Sequence, residues 1–169
     1  MGKSTRQDAV IIQQPAAGLG KAALGKFVTQ AKGAVGLRGA VNILVTNSRE
    51  MKELNQRFRG KNTPTDVLSF PAMPGLTPGF AGDVAISAEI AARNARRLGH
   101  TVADEIRILA LHGVLHLAGY DHECDTGEME RKEQQLRESL GLPVGLIERT
   151  GRPARKKRLV NSRSTGASR

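Results

Sequence analysis

Three of the four histidines lie within eleven residues, at His112, His116 and His122. In EIRILALHGVLHLA (105–118) the first two are spaced i, i+4. That spacing puts both imidazoles on one side of a helix, about 5–6 Å apart at Cβ. Gly119 then ends the helix and lets the backbone reverse, so that His122 can return over the same face. Three imidazoles from one helix and its following turn make a facial ligand set for zinc. The fourth coordination position is left to water, the arrangement of hydrolytic rather than structural zinc. The plainer alternative is three separate histidines, each satisfied by hydrogen bonds. Two imidazoles side by side in an aliphatic helix would each need polar partners, and one metal ion answers both needs.

The spacing H-x-x-x-H-x-x-G-x-x-H is also that of metzincin metalloproteases, which carry a glutamate directly after the first histidine as general base. This chain has Gly113 there. Glycine takes no proton from water, so the protease reading loses its central residue. Metal-assisted hydrolysis of another bond survives, because zinc itself lowers the pKa of its water to roughly 7. Cys124, close to His122, would make the metal structural if it served as a fourth ligand.

HGVLHLAGYDH (His112–His122) matches the motif H-G-x-L-H-L-x-G-Y-D-H at each fixed position. On this segment the chain resembles the YbeY family of bacterial rRNA-maturation endoribonucleases. FRGKNTPTDVLSFP (Phe58–Pro71), GDVAIS (Gly82–Ser87) and the helix carrying Met129 and Glu133 before LGL extend the likeness from about Asp8 to Leu142. The resemblance implies an α+β, zincin-like fold with a mixed four-stranded sheet, and one zinc held by His112, His116 and His122. It implies single-strand-specific RNA cleavage, with a role in 16S rRNA 3′-end maturation and late ribosome quality control. The implied partners are single-stranded rRNA in the small ribosomal subunit, with ribosomal proteins or an assembly GTPase. The family's functionally important arginine falls on Arg59. A competing reading is an assembly factor that binds RNA and the ribosome around a structural metal.

Arg59 also has a reason of its own. A phosphodiester hydrolase must hold an anion and stabilise added charge, and a guanidinium fork does so bidentately. Arg57 and Lys61 flank it and are candidate phosphate contacts, against the ordinary alternative of a solvated basic loop. Asp121 and Glu123 border the third histidine. A carboxylate there could orient a ligating imidazole, contact substrate or act as base, while turn chemistry is the plainer role. The nucleophile is left open between metal-held hydroxide and the RNA 2′-hydroxyl.

Several elements must position these groups. DAVIIQ (8–13), VNILVT (41–46), DVLSF (66–70) and Asp83–Ile86 read as strands. Helices are expected from Leu19 to about Val35, from a cap at Asn47 or Ser48 to Phe58, and over Ala88–Leu98 after Ser87. A further helix starts after Thr101, carries the histidine pair and is apolar nearly all round, hence buried. The last is expected from Thr126 to Leu140, and 71–81, with three prolines and two glycines, as a loop. Strands interleaved with helices make a mixed sheet with helices packed on it.

Composition bounds the rest. At 169 residues the chain suits one domain, expected over 1–150. The net charge of +10 is concentrated in the tail: residues 151–169 hold seven Lys and Arg and no acid. Such a run cannot bury apolar area and is expected to be a disordered arm, either solubilising or drawn to phosphates. Five aromatic rings in all, with no Trp, argue against folds that stack bases on rows of rings. A single cysteine, no apolar leader and no membrane-length apolar run read as a soluble, cytoplasmic protein with no membrane partner.

Overall fold

The computed structural model describes residues 6–144. Four strands and five helices follow one another as β1 (Ala9–Ile12), α1 (Lys21–Val35), β2 (Ala40–Thr46), α2 (Ser48–Arg59), β3 (Val67–Pro71), β4 (Phe80–Ser87), α3 (Ala88–Leu98), α4 (Val102–Leu117) and α5 (Glu128–Ser139). The sheet order is β1-β2-β4-β3. β1 and β4 run parallel to β2, and β3 pairs antiparallel with β4. This is the mixed α+β architecture with a four-stranded sheet that the alternation of elements implied.

Alternation along the strands gives the sheet two apolar faces. Val41, Ile43, Val45, Val84 and Ile86 point to one side, where α1 and α4 cover them. On the other, Leu68 and Ala85 meet Met51 of α2, with Leu44, Leu54 and Phe70 at the margin. Helix α4 is the central element. Ile106, Ile108, Leu109, Leu111, Val114 and Leu115 are all fully buried, each worth roughly 1.5–3 kcal/mol of transfer free energy.

The caps are those the sequence signals. Asn47, rather than Ser48, accepts from the Glu50 amide at 2.9 Å, Ser87 from Ile90 at 3.1 Å and Thr101 from Asp104 at 3.1 Å. The fourth histidine, His100, sits 2.6 Å from the fully buried Glu105 carboxylate at the α3–α4 junction.

Most element boundaries fall within two residues of expectation, and the differences at β3, β4 and α5 have a clear physical cause. β4 begins at Phe80 instead of Asp83, and β3 runs to Pro71, because Pro71 pairs with Gly82 and Phe80 with Ala40. The loop therefore shrinks to 72–79. α5 begins at Glu128, not Thr126, because Gly127 is left-handed at φ 96° and cannot be a helical residue. The Asp125 carboxylate instead accepts from the Gly127 and Met129 amides, each at 2.8 Å. The basic run 151–169 lies outside the described residues. Among the described residues, no helix is long and apolar enough to cross a membrane.

Candidate metal centre and its groove

Gly113 explains how α4 can present its histidines where it does. A Cβ at this position would lie 2.5 Å from Val84 Cγ1 and 3.2 Å from Ser69 Oγ. The helix therefore rests directly on β3 and β4 here, and Ser69 donates to the Gly113 carbonyl at 3.3 Å. A side chain at 113 would be driven into the sheet, away from the histidines. The position where metzincins keep their base is thus a packing position in this chain.

On another side of the helix, His112 and His116 bring their Nε2 atoms to 3.2 Å. Gly119, at φ 96°, turns the chain. His122 comes back with its ring centroid 5.5 Å from that of His112 and 5.2 Å from that of His116. One donor nitrogen from each of the three lies within 4.8 Å of the others. His112 and His116 are partly buried and His122 is exposed.

The donor chemistry fits a metal. Two nitrogens each about 2.0–2.1 Å from a tetrahedral zinc would stand about 3.3–3.4 Å apart, close to the observed Nε2–Nε2 separation. The His116 pKa is lowered to about 4, first by burial and then by the charges of His112 and His122. Its ring is therefore neutral at pH 7 and offers a lone pair. His112 Nδ1 is bonded to Glu133 Oε2 at 2.7 Å, which turns its Nε2 towards the shared centre. The histidine trio could hold a metal ion, and nitrogen ligands of this kind suit zinc and other borderline divalent ions.

The trio opens on a groove of about 1360 Å³ whose walls include Arg59, Lys61, Asp121 and the edge strand β3 at Val67–Ser69. Arg59 is the last residue of α2, followed by Gly60 as left-handed cap at φ 68°. The structure does not bring Arg57 to this groove. Its guanidinium lies 5.5 Å over the Phe58 ring, because residues i and i+2 of a helix face opposite ways. Asn55 and Arg59, at i and i+4, are the pair of α2 residues that share the groove wall.

Asp121 lines the groove, yet its carboxylate serves its own turn, accepting from the Glu123 amide at 3.0 Å. That bond holds its pKa below the usual carboxylate range. The carboxylate actually set against a ligand-type imidazole is Glu133, on α5. The sequence puts Glu133 on the following helix without a role, and points to Asp121 or Glu123 for this partner. Cys124 is exposed and outside the converging set. A hydrogen bond to Asp121 pushes its thiol up, which disfavours the thiolate a metal would need.

Comparison with known proteins shows which family the chain is related to. The family model described as Endoribonuclease YbeY matches residues 4–141. An Endoribonuclease YbeY from Koribacter versatilis is 54% identical over 147 residues, covering 87% of this chain and 95% of that protein. One from Solibacter usitatus is 44% identical, covering 86% and 97%. The solution structure of a Thermotoga maritima protein superposes with a TM-score of 0.52 at 33% identity, over 78% of this chain and 88% of that one. With a family model spanning most of the chain and relatives matched over nearly their whole length, the protein belongs to the YbeY endoribonuclease family.

Proposed function

We propose that this protein is a zinc-dependent endoribonuclease that cuts single-stranded rRNA, acting in 16S rRNA 3′-end maturation and late ribosome quality control. The observation that carries the reading is three convergent histidine nitrogens opening on a groove that also holds Arg59 and Lys61. His112, His116 and His122 would hold the ion. When bound there, zinc supplies a Lewis acid for a phosphoryl oxygen and an acidified water.

The chain's own groups do the rest. Arg59 pairs with the non-bridging phosphate oxygens through two parallel N–H bonds, which tighten as charge develops on them. Lys61 adds a point charge along the backbone. Asp121, held ionised by the Glu123 amide, accepts from a ribose hydroxyl on the groove wall. We take the antiparallel edge strand beside the histidine helix as zincin-like, and residues 1–150 as one catalytic unit. The basic run 151–169 begins seven residues after Val144, which lines the groove, and we assign it to phosphate contacts beyond the cut. The small ribosomal subunit, ribosomal proteins and an assembly GTPase are the proposed partners.

Cleavage of an unstructured RNA oligonucleotide by wild type and His116→Ala, purified in parallel, tests the reading. Cutting by the wild type alone, stopped by a chelator, is the expected result. Equal cutting by both proteins would refute it. RNA binding without cutting by either would favour the assembly factor with a structural metal.

A further inference from the structure

The partner of His112 has a consequence for metal binding that goes beyond ligand identity. Glu133 lies 21 positions further along the chain, on α5, and is buried together with Arg137. One of its carboxylate oxygens, Oε2, is 2.7 Å from His112 Nδ1. The other, Oε1, accepts from the Arg137 guanidinium one helical turn along. A carboxylate oxygen accepts, so this contact favours the His112 tautomer with its proton on Nδ1. Its lone pair is then on Nε2, the atom that faces His116 Nε2 at 3.2 Å.

We propose that Glu133 is a positioning residue that fixes the His112 tautomer and ring orientation for the metal, and that Arg137 holds the Glu133 carboxylate in place to do so. The inference rests on the metal-holding role proposed for the histidine trio. A purely structural ion pair would need only Glu133 and Arg137. The second oxygen, set against the non-ligating nitrogen of His112, is what links that pair to the centre. Because Arg137 holds Oε1, the carboxylate is oriented with Oε2 against His112 Nδ1.

The test is zinc affinity of the full chain, read by competition with a chromogenic chelator. Glu133→Gln keeps size and shape but has one acceptor and one donor. If its oxygen faces His112, its NH2 group confronts Arg137. If its oxygen faces Arg137, its NH2 group donates to Nδ1 and the proton moves to Nε2. A 10- to 100-fold loss of affinity is expected, with Arg137→Met also weakened and Arg137→Lys within a few-fold of wild type. Unchanged affinity in a folded Glu133→Gln protein would overturn the proposal.

A second measurement needs no variant. Long-range proton–nitrogen correlation spectra of metal-free wild type should show His112 protonated on Nδ1, and protonation on Nε2 would overturn the inference even if Glu133→Gln fails to fold. If wild type and His116→Ala hold zinc equally, the metal reading itself falls and this inference with it. If His116→Ala loses zinc while Glu133→Gln keeps it, only the positioning role is lost.

Discussion

Arg59 and Arg57 are two residues apart and carry the same charge, yet the structure gives them different surroundings. Arg59 lines the histidine groove, and Arg57 lies over Phe58. Arg59→Ala should therefore lower RNA cleavage by about 10²- to 10³-fold, the usual cost of removing one donor to developing charge. Arg57→Ala should change it less than about twofold, since an exposed contact away from the charge centre contributes little. Parallel single-turnover rates on one oligonucleotide check both. His116 supplies a second test at this scale. Its pKa is lowered to about 4, against roughly 6.5 in an unfolded chain. The unfolded state therefore binds the proton first, and the His116 contribution to stability is lost as pH falls from about 6.5 through 4. A proton NMR titration of the metal-free protein should show the His116 imidazole titrating near pH 4, a transition absent from His116→Ala.

At the scale of elements, the contact of α4 with the sheet decides where the histidines stand. Gly113→Ala replaces a poor helix former with the best one, a gain of about 1 kcal/mol in an exposed helix. Here the new Cβ would meet Val84 at 2.5 Å, so the net result should be a loss of about 1–3 kcal/mol, read as a lower denaturant midpoint. Much of this element is legible in the sequence. The HxxxH spacing, the Thr101 cap and Gly119 are local signals that act within a turn or two of chain. The separation of Arg57 from Arg59 is also readable, since helical periodicity alone puts them on opposite sides. Glu133 is not. Its pairing with Arg137 is an i, i+4 regularity, but its contact with His112 depends on how α5 packs on α4, which no local pattern records. The early start of β4 escapes the sequence for a similar reason, since Phe80 owes its strand conformation to pairing with Ala40 across the sheet.

For the whole molecule, the charge distribution matters more than its sum. Seven of the 26 Lys and Arg lie in 151–169, and the last described residue, Val144, lines the groove. Fourteen residue steps separate Val144 from Arg158, a reach of at most about 50 Å. The 169-residue chain with Arg152, Arg155, Lys156, Lys157 and Arg158 all changed to Gln should bind long single-stranded RNA more weakly at low salt. For every phosphate the tail no longer neutralises, the logarithmic salt dependence should flatten by about 0.7. A short oligonucleotide confined to the groove should bind both proteins alike. Equal salt slopes on the long RNA would remove the tail from the binding surface.

The most direct measurement is the rate of RNA cleavage as zinc is titrated back into stripped protein, with bound metal counted at each point. The rate should rise in proportion to occupancy and level off at one ion per chain, and His116→Ala should show neither the binding nor the rise. Cleavage that is undiminished in the stripped protein, or that appears in His116→Ala at the same occupancy, would contradict a metal centre built from His112, His116 and His122.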